Sequence, residues 1–224
     1  VPFIITLKGT VFDKKSKKQI INSLVTLADA SEKAESVYII TDDSGKYSTL
    51  IPEEMLYNTK AQKLKYFSDK ATISSKGIKK TTELVQDFYL EKIPSGDIVI
   101  PGIEYDFDKA TLRPYSKLIL DTLSDMLKLN DNLVVELSSH TDSRGNDDYN
   151  FRLSDERAKS CVQYLIYKGI AKERLVPKGY GETKLIVSDD EINAMPTEEE
   201  KETGHQKNRR TAFRIIEEKA INPK

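Results

Sequence analysis

Apolar positions over the first ninety residues come in short or alternating runs separated by turn clusters. Residues 4–12 form one such run and end in the lysine-rich turn 13–18; residues 24–28 form the next. Residues 37–41 lead through Asp42-Asp43-Ser44-Gly45 into residues 46–51, which predicts a hairpin with acceptors early in its turn and glycine late. Pro52 stops that strand. Residues 63–67, 70–74 and 83–90 bring the total to about seven short strands, and no amphipathic period of helix length intervenes. The pattern predicts an all-β sandwich.

Pro94, Ser95 and Gly96 break that pattern, so residues 1–92 read as one domain and 93–97 as a linker. Residues 98–218 then read as a second domain and 219–224 as a tail. Strand pieces are expected at 98–100 and 104–107, interrupted by Pro101-Gly102. From Pro114 the pattern turns helical, because Tyr115, Leu118, Ile119, Leu123, Met126 and Leu127 recur at spacings of three and four. Asn130-Asp131-Asn132 ends that helix. Residues 133–137 read as a strand in which Val134 and Val135 are both apolar, as expected where both faces are covered.

A second helix is predicted over 147–168. Asn146 and Ser154 are both candidate caps. Asn146 is favoured, because Tyr149, Leu153, Ala158, Val162, Leu165 and Ile166 keep helical spacing. Asp147 and Asp148 also place negative charge at the positive end of the helix dipole. Gly169 is the expected stop. Strands at 174–176 and 211–216 and a turn at 178–181 complete the pattern. Between them residues 182–207 are acidic and poor in apolar side chains; residues 198–202 read as a solvated face, and a stretch this long without regular structure suggests a surface excursion near a site, or tolerance of insertion. The order predicts an α/β layer, two helices packed on a small mixed sheet.

Composition narrows the function. The chain has 224 residues with 38% apolar and 32% charged side chains and a formal net charge of −1. That balance removes the general electrostatic case for nucleic acid or an anionic membrane surface as partner. No apolar run approaches membrane-spanning length, and no signal peptide opens the chain. The start at Val1-Pro2-Phe3-Ile4-Ile5 reads as a strand entered midway, so a processed or excised fragment is expected. The single cysteine, Cys161, falls on the apolar stripe of the second helix and reads as a buried, inert thiol. All eight arginines lie beyond Gly96. Arginine is the residue for geometric recognition of carboxylates, so the second domain carries the candidate chemistry.

That chemistry gathers where the strand at 133–137 gives way to the second helix. Asp142 lies in the connecting loop; Asn150 and Arg157 are seven apart and share a helix face, roughly 10 Å apart along the axis. Asp106 and Asp108 reach the same edge if the first strand neighbours the second. Thr141, Asp142, Ser143, Arg144, Asn146 and Asn150 crowd this corner, and Asn208, Arg209 and Arg210 precede the last strand. So many fixed donors and acceptors suit a small zwitterionic ligand, with Asp142 on its cationic end and Arg157 on its anionic end. A purely structural Asp–Arg pair is the alternative on spacing alone.

Other chemistries fit poorly. Ser138, Ser139, His140 and Asp142 hold the residue types of a hydrolytic triad, but strand neighbours point to opposite faces. His140 reads as a packed or hydrogen-bonded residue. With two histidines and no cysteine near either, no metal site is expected. The Asp42–Gly45 turn lacks the acidic spacing of a calcium loop. No glycine-rich phosphate loop is present, and no cofactor is expected.

Six motifs stand together in order and spacing: Tyr105-Asp-Phe-Asp-Lys, Ser139-His-Thr-Asp142, Asp148-Tyr-Asn150, Leu153-Ser-Asp-Glu-Arg-Ala158, Gly179-Tyr-Gly-Glu182 and Asn208-Arg-Arg210. Over about residues 98–216 the chain resembles the OmpA C-terminal-like domains, which include peptidoglycan-associated lipoproteins and flagellar stator anchors. The resemblance implies a non-enzymatic, noncovalent peptidoglycan binder that grips the diaminopimelate of the stem peptide, in the periplasm and associated with the outer membrane. It implies Asp142 and Arg157 as the central pair, with Asp106, Thr141, Asn150, Leu153 and Arg210 lining the pocket. Ser139 departs from the family, which usually has glycine there.

Gly9-Thr-Val-Phe-Asp13 and Thr41-Asp-Asp-Ser-Gly-Lys-Tyr47 resemble the carboxypeptidase regulatory-like, transthyretin-type sandwiches, which implies a spacer or a module for other envelope proteins. The pairing of the two domains is similar to the C-terminal part of Bacteroidota-type envelope proteins, including a periplasmic component of the type IX secretion machinery. Two rival readings are a cell-wall amidase or peptidase using the same carboxylates, and a pure protein-interaction module.

Overall fold

The computed structural model describes residues 3–105 and 109–222. The chain divides into two compact units, Val1–Ile93 with Ala220–Lys224, and Pro94–Lys219.

Among the described residues the first unit is all β. Its strands are β1 (Ile5–Asp13), β2 (Leu24–Asp29), β3 (Val37–Ile40), β4 (Lys46–Leu50), β5 (Leu56–Gln62), β6 (Tyr66–Phe67), β7 (Asp69–Ser74), β8 (Thr82–Val85) and β9 (Phe88–Lys92). They make two sheets, one in the order β4-β1-β9-β6 with β8 also on β1, the other β3-β2-β5-β7. Alternate residues from both sheets form one apolar core, in which Leu7, Val11, Val25, Leu27, Phe88 and Leu90 are fully buried.

Three details differ from the pattern-based expectation. The Asp42–Gly45 turn does not close a hairpin: β3 pairs with β2 and β4 pairs with β1, so the turn carries the chain from one sheet to the other. The Asp42 carboxylate shapes it by accepting from the Ser44 and Lys46 amides at 2.8 and 2.9 Å. The strand expected at 63–67 shrinks to Tyr66–Phe67, while the unforeseen β5 pairs along both its edges with β2 and β7. Its buried positions Tyr57, Thr59 and Ala61 alternate but carry little apolar signal, so pairing decides what pattern did not. Finally, residues 83–90 split at Gln86-Asp87, where the Asp87 carboxylate accepts the Thr10 amide at 2.8 Å.

The second unit holds β10 (Ile98–Ile100), α1 (Pro114–Leu129), β11 (Leu133–Ser139), α2 (Asp147–Tyr167), β12 (Leu175–Gly179), α3 (Asp189–Asn193), α4 (Glu198–Asn208) and β13 (Thr211–Glu218). The sheet order is β10-β13-β11-β12. It is mixed, because β11 runs parallel to β12 and antiparallel to β13. Leu120, Leu127, Cys161 and Leu165 from the two long helices join Val135 and Leu137 in one fully buried cluster. The first strand of this unit neighbours the last one, β13, rather than β11. Asp106 and Asp108, expected at the β11 edge, lie outside the described residues.

Pro114 opens α1 as expected, but Tyr115 and Leu118 are 67% and 62% exposed and lie off the stripe that buries Leu120, Leu123 and Leu127. Asn146 caps α2, its side chain accepting the Tyr149 amide at 3.2 Å. Ser154, the alternative cap, is fully buried inside the helix. Residues 172–174 form a short 3-10 turn, so the strand expected from 174 starts at Leu175, and β12 runs on through Gly179, past the expected start of a turn. Arg174 sits on that turn and donates to the carbonyls of Leu127, Asn130 and Leu133 at 2.8, 2.7 and 2.9 Å, tying the end of α1 to the start of β11.

The acidic excursion is also structured. Ser188 with Glu191 and Thr197 with Glu200 form reciprocal capping boxes that start α3 and α4. Ile192, 1% exposed, packs inside it. The Asn208 side chain accepts the Ile186 and Val187 amides at 2.8 and 3.0 Å, fastening the excursion beside β13.

Gly179 lets β12 lie directly against α2. A Cβ there would stand 2.3 Å from the Asp155 nitrogen and 2.7 Å from Ser154 Oγ. Gly179→Ala is therefore expected to force strand and helix apart and cost about 1–3 kcal/mol in urea unfolding. Unchanged stability would show that the contact relaxes freely.

Candidate functional site

β11 delivers a buried run of polar residues to one end of the sheet. Ser138, Ser139, His140, Thr141 and Asp142 are all 6% exposed or less. The Thr141 amide donates to the Gly181 carbonyl at 2.9 Å and the Tyr180 amide to the Ser139 carbonyl at 3.0 Å, which joins this run to the segment after β12. Ser154 Oγ completes the corner by accepting the Gly181 amide at 2.8 Å. Thr141 Oγ1 has no hydrogen-bond partner among the described residues.

Asp142 is only 6% exposed, yet it is held as a carboxylate. Burial alone would raise its pKa. The hydrogen bonds from Arg144 and Arg209 outweigh burial and hold it below the usual value. Arg144 donates to Oδ2 from Nη2 at 2.7 Å and Nε at 3.2 Å and to Oδ1 from its own amide at 3.1 Å, and Arg209 Nη1 also donates to Oδ2. Both guanidiniums turn their other ends to Glu202 of α4, Arg144 at 2.9 Å and Arg209 at 2.6 Å. Asn150 braces the loop from α2, donating to the carbonyls of Asp142 and Arg144 at 3.3 and 3.2 Å and to Glu182 at 2.6 Å.

A cavity of about 210 Å³ opens beside this corner, lined among others by Tyr105, His140, Arg157, Arg209, Arg210 and Thr211. Arg157, half-buried on α2, lies over the Tyr105 ring at 4.8 Å and donates from Nε to the Lys109 carbonyl at 3.1 Å. Tyr105 is itself anchored through its hydroxyl to Thr211 Oγ1 at 3.0 Å and Cys161 Sγ at 3.3 Å. Arg210 donates to the carbonyls of Asn208 and Lys184 at 3.1 and 2.8 Å. Burial lowers its pKa, with Asp97 pulling the other way.

The expected site residues are thus brought together only in part. Arg157 and Arg210 share the cavity, while Asp142 touches it through Arg209. Among the described residues Asp142 and Arg157 are not ion-paired with each other. Leu153 is half-buried on α2 one turn before Arg157. Asn150 spends its amide on the loop and on Glu182, a bracing role. Asp106 lies outside the described residues. Asp142, expected at the cationic end of a ligand, is covered here by Arg144 and Arg209, because a carboxylate this buried needs paired donors. Sequence reading placed Arg144 and Arg209 in the polar crowd without assigning them to the site, and Glu202 had no signal beyond an acidic run.

Ser138 on β11 and His140 just past its end do meet, with Nε2 and Oγ 3.3 Å apart. Asp142 is not joined to them, and His140 stacks on Tyr180 with ring centroids 5.2 Å apart. Burial first, then the charges of Arg210 and Lys184, push His140 from 6.5 down to about 3. Cys161 is fully buried, as expected, and burial raises its thiol to about 11. Among the described residues no helix is long and apolar enough to cross a membrane.

A model of the OmpA family matches residues 104–199, which is under half of the chain. Over 134 residues, 59% of this chain, the sequence is 34% identical to the photosystem I P700 chlorophyll a apoprotein A2 of Gloeobacter violaceus, of which the match covers 15%. Over 112 residues, 50% of this chain, it is 32% identical to outer membrane protein A of Bordetella avium, covering 53% of it. The chain therefore spans between 15% and 53% of the length of these curated relatives. Among solved structures, the peptidoglycan-associated lipoprotein of Burkholderia pseudomallei is 20% identical, with a TM-score of 0.42, over 50% of this chain and 87% of that one. The second unit carries an OmpA-like α/β domain.

Because His140 is held neutral in the fold, the unfolded chain takes up a proton there first on acidification. Its contribution to stability is complete above pH 6.5 and declines as pH falls towards about 3. Between pH 6.5 and 5, above the carboxylate range, stability should fall with a slope approaching about 1.4 kcal/mol per pH unit. His140→Phe should flatten that stretch in urea titrations at stepped pH.

Proposed function

We propose that the OmpA-like domain is a non-catalytic anchor that binds peptidoglycan through the diaminopimelate of the stem peptide. The observation that carries this reading is two guanidiniums, Arg157 and Arg210, on one cavity, with a buried ionised carboxylate, Asp142, joined to its rim through Arg209. Diaminopimelate presents an ammonium and a carboxylate on one carbon, and these groups match a carboxylate and a guanidinium held apart by the fold. The OmpA family match over residues 104–199 supports the same ligand class. In this reading Asp106 and Thr141 complete the pocket, Leu153 gives it an apolar wall, and Asn150 holds the Asp142 loop in place.

Charge-assisted hydrogen bonds contribute on the order of 1.5–3 kcal/mol each. Two or three of them leave a modest affinity once the entropy of association is subtracted. A wall polymer with many stem peptides restores retention by multivalency. The location that fits is the periplasm, in association with the outer membrane. The first unit is read as a carboxypeptidase regulatory-like module that contacts other envelope proteins, with type IX secretion as the complex served.

Sacculus co-sedimentation and calorimetry with a diaminopimelate muropeptide test the reading. The unaltered protein should bind both, and Arg157→Gln should weaken the muropeptide at least tenfold with little change in melting temperature. Asp142→Asn should lower both binding and stability, since that side chain also holds Arg144 and Arg209. Muropeptide masses should be unchanged after incubation. Sacculi that leave the unaltered protein in solution would overturn the anchor, and cleaved products would overturn its non-catalytic character.

A further inference from the structure

The ring of charges around Asp142 has a dry half and a wet half. Asp142 and Arg209 have side chains 8% and 29% exposed, whereas Arg144 and Glu202 are 52% and 53% exposed. Exposed ion pairs are worth little, because water and salt screen them and two long side chains must be held still. The outer half is therefore the part that opens. Asn150 grips the backbone carbonyls on both sides of Ser143, so Arg144 can swing out without the Asp142 loop moving.

We infer that Arg144 is an affinity-setting residue, an internal cation that occupies the seat on Asp142 which the ligand's ammonium takes on binding. The inference rests on the anchor reading above. Its guanidinium places two donors on Oδ2, where an incoming ammonium would bond. Arg209 stays, because it is the drier partner and, besides Glu202, which both arginines meet, it is held by the Gln206 side chain. A ligand then binds only the fraction of molecules in which Arg144 has left, which lowers apparent affinity by that fraction. Arg144 also sets specificity, since only a ligand bringing its own cation compensates Asp142 after the exchange.

Calorimetry of the full chain with the diaminopimelate muropeptide, comparing the unaltered protein with Arg144→Ala and Arg144→Lys, tests this. Arg144→Ala should bind about three- to fivefold more tightly, the inverse of the effect expected from losing a structural or ligand-contacting residue. Arg144→Lys, which keeps a cation in the seat, should stay within about twofold of the unaltered protein. Weaker or unchanged binding by Arg144→Ala, with the unaltered protein still binding, would overturn the inference and leave the anchor reading standing. If neither protein binds the muropeptide, both fall together. A melting temperature taken on each variant shows that the comparison is made between folded proteins.

Discussion

One buried carboxylate organises the working end of the second unit. Asp142 takes Arg144 from its own loop and Arg209 from the approach to β13, and both arginines meet Glu202 on α4. Two segments distant in sequence are thereby held by a closed ring of alternating charge. A carboxylate this enclosed is costly unless its oxygens are filled by donors. Here they are filled by two cations, and the surplus positive charge is in turn met by Glu202. The ring stays charged because each member neutralises the next.

The neutral scaffold around it explains why the ring sits where it does. β11 is the central strand beside β12 and β13, so its end is the point where three strands and α2 converge. Gly179 and Ser154 bring α2 into direct contact with β12, which fixes the helix that carries both Asn150 and Arg157. Tyr105 adds a second support, its ring under Arg157 and its hydroxyl tethered to Thr211. Rigid elements thus position the guanidiniums, while Arg144 is the more exposed of the two cations on Asp142.

The excursion at 182–207 shows how local signals are lost in composition. Ser188-Asp-Asp-Glu191 and Thr197-Glu-Glu-Glu200 both carry the reciprocal capping pattern, a physical reason for two helix starts. Their acidity and lack of apolar residues hide it, and the result is a helix that delivers Glu202 to the site. Exposed acidic runs are usually solvated, so nothing local separates Glu202 from its neighbours.

The sequence by itself determined the periodic elements. Helical spacing placed α1 and α2, Asn146 marked the cap, and the apolar run of β11 announced a strand covered on both faces, because these depend on side chains within a few residues of one another. It also marked Asp142, Arg157, Asn150 and Arg210 as polar residues crowded near one strand end. Only tertiary structure decided which strands pair, as with β5 between β2 and β7, β10 beside β13, and the Asp42–Gly45 turn that passes between sheets. It alone decided that Asp142 is covered by Arg144 and Arg209, since a charge partner 67 residues away is chosen by packing and carries no local pattern.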